Sequence, residues 1–162
     1  MKYVVLLLIG VLFGSCFNDG NCLITATNAL HIQFKKLSDA KDSTIILDTV
    51  YISGTDTFLL VNASVKEFLL PVDVHNNITT FVFTHSNSTG TIFGSDTLQV
   101  GYTGQSRVIA KDCGAFTYYQ NLKVLHTNLK ESQIKVFNTS LLKDPTLGDT
   151  PSAYAVNYQI FY

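Results

Sequence analysis

Residues 77–85 read NITTFVFTH. Phe81 and Phe83 fall on one side of this segment, and Thr80, Val82 and Thr84 fall on the other. A period of two belongs to a strand, because successive side chains of an extended backbone point to opposite faces. The phenylalanine side is expected to face a core. The question is whether the rest of the chain supplies a second sheet to meet it.

Reading outward, the same period recurs. In ALHIQFKK (29–36), Leu30, Ile32 and Phe34 share one face, while His31, Gln33 and Lys35 share the other. STIILDTVYISG (43–54) is rich in β-branched residues and runs into TDTFLLVNASV (55–65), so Ser53–Asp56 reads as a hairpin turn. Pro71 in FLLPVD marks an edge strand or a strand end, since proline cannot donate to a ladder. DTLQVGYTGQSRVIAKDC (96–113) reads as a hairpin turning at Thr103-Gly104. AFTYYQNLKVLH (115–126) and SQIKVFN (132–138) are further strands, and DPTLGDTPS (144–152) is a loop. In the final AYAVNYQIFY (153–162), Tyr154, Val156, Tyr158, Ile160 and Tyr162 alternate with smaller or polar residues. No window carries an amphipathic helix of ten residues, and turn signals recur about every 8–12 residues. The expected fold is all-β: an antiparallel two-sheet sandwich, immunoglobulin-like in architecture, with about seven to nine strands.

The N-terminus is different. After Lys2, residues Val4–Phe13 are apolar apart from Gly10, then Gly14 and Ser15 precede Cys16. A helix over this run would rise roughly 15 Å, half of the about 30 Å of a bilayer core. The run has the length of a signal-peptide core rather than of a span. The order of small residues before Cys16 resembles a bacterial lipobox, with Phe13 where leucine is commonest. That resemblance implies a signal peptide over 1–15, a lipidated Cys16 with a short tether to residue 21, and a single folded domain over 22–162. The competing reading is a secreted protein cut near Ser15.

Composition agrees with a folded, exported domain. Hydrophobic residues are 46% of the chain and charged ones 14%, enough for a full core. Losing residues 1–15, which include one lysine, takes the formal net charge from −1 to −2. That is no footprint for nucleic acid. With Cys16 lipidated, Cys22 and Cys113 are left, and two cysteines in an exported domain read as one disulfide. A catalytic thiol or two buried free cysteines are the alternatives.

Leu70-Pro71, the strand of Asp96-Thr97-Leu98 and Tyr102, and Cys113-Gly114, in that order after Cys16 and Cys22, resemble a family of uncharacterised Bacteroidota lipoproteins. The likeness covers nearly the whole mature chain. It implies location and fold, no activity, and an outer-membrane β-barrel protein as the partner. It also implies an outer-membrane rather than inner-membrane anchor. Phe17-Asn18-Asp19 carries a single acid, which favours the periplasmic side over the cell surface.

The chemistry-bearing residues do not converge in sequence. His31, His75, His85 and His126 lack metal-site spacing, and read as surface or turn histidines. No GxSxG elbow occurs, and Gly94-Ser95-Asp96 reads as a turn entering a strand. Asp39, Asp42, Asp48 and Asp56 lack the order of a calcium loop and read as turn carboxylates. Asn62, Asn77, Asn87 and Asn138 open N-x-[ST] sequons that mark polar turns. The tripeptides starting at Asp42, Asp48 and Asp96 resemble the sites at which Bacteroidota O-glycosylate exported proteins, which makes Ser43, Thr49 and Thr97 candidates. The expected function is a non-catalytic interaction or structural component of the cell envelope, with no cofactor and no metal. The alternative is a glycan- or ligand-binding module using Tyr154, Tyr158 and Tyr162 as a stacking platform, although aromatic cross-strand pairs within a sheet account for them better and the chain has no tryptophan.

Overall fold

The computed structural model describes residues 22–55, 57–86, 92–110 and 113–162. The expected signal peptide, Cys16, the expected tether, Asp56 and the Asn87 sequon lie outside the described residues. Nine strands are described: β1 (Ala29–Lys35), β2 (Ile45–Ile52), β3 (Phe58–Val65), β4 (Glu67–Pro71), β5 (Ile78–Ser86), β6 (Ile92–Ala110), β7 (Gly114–Thr127), β8 (Ile134–Val136) and β9 (Val156–Phe161). They form a four-stranded sheet in the order β4-β1-β9-β8 and a five-stranded sheet in the order β3-β2-β5-β6-β7. The all-β two-layer sandwich is therefore as expected. Its likeness to immunoglobulin domains is one of architecture, since the strand order differs from the ABED over CFG arrangement. Among the described residues no helix is long and apolar enough to cross a membrane.

Each inner face is built by the alternation read from sequence. Leu30, Ile32 and Phe34 of β1 are buried, as are Phe81 and Phe83 of β5, Leu98 and Val100 of β6, and Tyr158 and Ile160 of β9. The rings of Phe68 and Phe83 meet across the two layers with centroids 6.0 Å apart, and Phe34 packs on Phe68 at 5.3 Å. Pro71 ends β4, an edge strand, where its missing N–H costs no ladder bond. The β2–β3 hairpin turns after Ile52, with Gly54 at φ 85°. The phase of β2 shifts midway: Leu47 and Val50 are both buried. Across from that shift Asn62, exposed within β3 rather than in a turn, has φ 47°. Asparagine adopts this left-handed region more readily than most residues.

Three turn readings are corrected, at Thr103-Gly104, Gly94–Asp96 and Asp48. The chain does not turn at Thr103-Gly104. β6 continues for 19 residues to Ala110, and direction reverses only before Gly114, at φ 75°. Gly101 and Gly104 serve close packing instead. A Cβ at Gly101 would stand 2.9 Å from Leu125 Cδ1, and one at Gly104 would stand 3.2 Å from Thr117 Cγ2. Gly94-Ser95-Asp96 lies inside β6 rather than in a turn before it, and Asp48 lies inside β2. The pairing is also not wholly antiparallel, because β1 pairs with β9 in parallel. No local signal announces a pairing between the first and last strands.

Among the described residues two buried side-chain oxygens have no hydrogen-bond partner, Asp48 Oδ2 and the Tyr158 hydroxyl. Tyr158 is fully buried and its hydroxyl has no hydrogen-bond partner. Burial pushes its pKa far above the ordinary tyrosine value. A buried hydroxyl without a partner carries a desolvation cost of about 1–3 kcal/mol. Tyr158→Phe is therefore expected to raise the unfolding free energy by about 1 kcal/mol, read by urea denaturation. A loss of stability in that variant would show that the hydroxyl has a partner.

Candidate functional site: the two ends of the sandwich

β1 leads away from Cys22, and its parallel partner β9 runs the same way to Tyr162. The Leu37 N–H donates to the Tyr162 carbonyl at 2.8 Å, which places both residues beyond the far ends of these strands. β6 runs the other way, from Asp96 near its start towards Cys113 just beyond its tip. The molecule thus has a disulfide end and an opposite end, and each carries a distinct constellation.

At the disulfide end, Cys22 and Cys113 are bonded, with Cα atoms 5.7 Å apart and a sequence separation of 91. The segment after Cys22 is stitched to a late part of the chain. The Lys143 N–H donates to the Thr25 carbonyl at 2.9 Å, and Ala26 bridges Leu142. Leu23, Thr25, Leu142, Lys143, Pro145 and Thr146 contribute to a shallow hollow of about 520 Å³. Leu23 is 61% exposed and Leu142 39%. Lys143 pairs with Asp149, which raises its pKa, and stacks over the Tyr154 ring at 5.5 Å. Arg107 similarly lies over Tyr118 at 5.6 Å.

At the opposite end, His85 of β5, Asp96 of β6 and Tyr162 after β9 meet between the sheets. His85 Nε2 is 2.8 Å from Asp96 Oδ2, and the Tyr162 hydroxyl donates to the same oxygen at 2.8 Å. The two rings pack edge-on at 5.4 Å. With Gln133, Ser95 and Leu129 they line a cleft of about 240 Å³. Asp96 faces inward because it pairs with Phe83, whose ring is in the core. Burial would raise its pKa, but the hydrogen bonds from His85 and Tyr162 outweigh burial and hold it below the ordinary 3.8. Tyr162 is raised by burial and by the Asp96 charge. The carboxylate joins the end of one sheet to the other.

The sign of the pH dependence follows. Because Asp96 is lowered on folding, its contribution is complete above the unfolded value of about 3.8 and is lost as pH falls through the folded value. Asp96→Asn is expected to cost about 1–3 kcal/mol near neutral pH. The variant should also lose less stability than the wild type on acidification below about pH 4. Parallel acid limbs for the two proteins would contradict this.

The remaining sequence candidates are dispersed. Two of the four histidines are not at the surface: His31 is 1% exposed and His85 9%. His31 Nδ1 faces the Tyr154 carbonyl at 2.9 Å, so that nitrogen donates, and Nε2 is 3.2 Å from Glu67 Oε2. The alternation that puts His31 opposite Leu30 is real, yet the chain around Tyr154 covers it. Among the described residues no three or more His, Cys, Asp or Glu group to hold a metal. Thr49 and Thr97 both belong to the outer face of the five-stranded sheet. The Thr49 hydroxyl lies 2.7 Å from that of Thr84, and the Thr97 N–H donates to Asn128 Oδ1 at 2.6 Å. Ser43 precedes β2, and its N–H donates to the Phe34 carbonyl at 3.0 Å. The tyrosines of the last segment form no exposed row, since Tyr158 is in the core and Tyr162 packs on Phe34 and His85.

The fold and its two ends define a two-layer β domain closed by one long-range disulfide. Residues 37–146 match the model of DUF6452, a family of unknown function, and the chain belongs to that family. No curated protein and no solved structure matches the chain. The matched segment runs from just after β1 to the loop that precedes β9, so it spans the five-stranded sheet together with β4 and β8.

Proposed function

We propose that this chain is a Bacteroidota cell-envelope lipoprotein, anchored through Cys16, that works as a non-catalytic interaction or structural component. The observation that supports the reading most is the Cys22–Cys113 bond. Such bonds persist in oxidising compartments such as the periplasm. This one fastens the residue nearest the anchor to the tip of the β6–β7 hairpin, so load on the anchor passes into the sandwich rather than onto β1. The membrane proposed is the outer one, on its periplasmic side, and the partner class is an outer-membrane β-barrel protein. Exposed sheet edges such as β3 can accept a partner strand through backbone bonds. O-glycosylation at Ser43, Thr49 or Thr97 belongs to the same proposal.

Crosslinking in intact cells tests it. The expected product is one specific envelope protein. His31→Ala, His75→Ala, His85→Ala and His126→Ala, each folded, are expected to leave the cellular phenotype of the gene intact. A phenotype abolished by one of them with folding unchanged would overturn the non-catalytic reading.

A further inference from the structure

The disulfide end shows apolar side chains where a monomeric surface would normally be polar. Leu23 is 61% exposed, Leu147 52% and Leu142 39%. Val108 is 73% exposed and lies two residues before the end of β6. Of these, Leu23 and Leu142 line one hollow together with Pro145, and an exposed apolar patch marks a contact with another body. What that body is follows from the chain outside the described residues. Five residues, Phe17–Asn21, separate Cys16 from Cys22. However they are arranged, six Cα–Cα steps span at most about 22 Å. Asp96, at the opposite end, lies fourteen residues before Ala110, which is up to about 45 Å along a strand. A lipid on Cys16 therefore holds the disulfide end, and not the opposite end, against the bilayer.

We propose that the hollow lined by Leu23, Leu142 and Pro145 rests on the bilayer interface of the leaflet that holds the lipid, and so fixes the orientation of the domain. This rests on anchoring through Cys16, as proposed above. The acyl chains supply the attachment. The leucines supply a preferred face; Asp144 and Lys143, which is paired with Asp149, share the hollow, and Arg107 lies beside Leu142. The His85–Asp96–Tyr162 end then points away from the membrane.

The chain has no tryptophan, so a single introduced indole reports its own depth. The mature chain beginning at Cys16, with its disulfide intact, would be coupled through the Cys16 thiol to a maleimide lipid. The vesicles would be phosphatidylethanolamine and phosphatidylglycerol with brominated acyl chains. For an interfacial side chain, Leu23→Trp and Leu142→Trp are expected to lose about half of their emission and to shift to the blue. Leu37→Trp, at the opposite end and 56% exposed in the wild type, should lose less than about a tenth. All these positions are exposed, and Val108→Trp replaces either leucine variant that does not fold by circular dichroism. Equal quenching at both ends would overturn the proposal, as would no quenching at the disulfide end. So would a crosslink from position 23 to a protein in cells without quenching in protein-free vesicles, because the face would then belong to a protein partner. The chemical anchor makes this result independent of whether cells lipidate Cys16, which palmitate labelling reports separately.

Discussion

Phe81→Ala and Phe83→Ala are each expected to lower the unfolding free energy by about 3–5 kcal/mol. Both rings are buried between the sheets, Phe81 at 0% exposure and Phe83 at 1%. Phe83 touches Phe68 of the opposite layer, so its loss opens a gap that neither sheet can close by itself. Phe81 sits opposite Leu98 in the middle of the five-stranded sheet, with strands on both sides. A domain of this size is stable by only about 5–15 kcal/mol, so either variant removes a large fraction. Val82→Ala, on the outer face between the same two residues, should cost about 1 kcal/mol or less. Urea denaturation of the three variants checks the register directly. A loss below about 1 kcal/mol at both phenylalanines would mean that β5 faces the other way.

The second large effect is the disulfide. Replacing Cys22 and Cys113 together by serine is expected to cost about 2–5 kcal/mol. The chain-entropy model gives about 4.5 kcal/mol for a loop of 91 residues, an upper figure. The rest of the N-terminal segment is held by little else. The Thr25 and Ala26 contacts with Lys143 and Leu142 are backbone bonds at an exposed border. Limited proteolysis of the double variant should therefore cut first between Cys22 and β1. Mass mapping under non-reducing conditions must show the Cys22–Cys113 linkage in the wild type. Two free thiols there would remove the basis of this prediction.

The strands were legible because their information is local. A period of two, Pro71 at an edge and Gly54 in a turn each act within a few residues. The two layers follow from them, since every strand has one apolar face to cover. What sequence did not show is what depends on distant partners. Thr103-Gly104 resembles a turn because glycine has two uses, and only the side chains of Thr117 and Leu125 on β7 reveal that close approach is the one in force. His31 and His85 looked like surface residues because polar positions of a strand normally face water. Each is covered by a segment from the end of the chain, around Tyr154 or at Tyr162. Asp96 opens a D-T-L tripeptide in the sequence, and nothing in that pattern announces that its carboxylate ties β5, β6 and the segment after β9 together. Its one legible signal was a carboxylate on the same face as Leu98 and Val100.

The central claim is the lipid on Cys16, because the proposed location, the orientation of the sandwich and the meaning of the disulfide all depend on it. The most direct measurement is metabolic labelling of cells with palmitate, comparing the wild type with Cys16→Ser at equal expression. Label is expected in the wild type and none in the variant. Equal labelling of the two proteins, or no label in either, would contradict it.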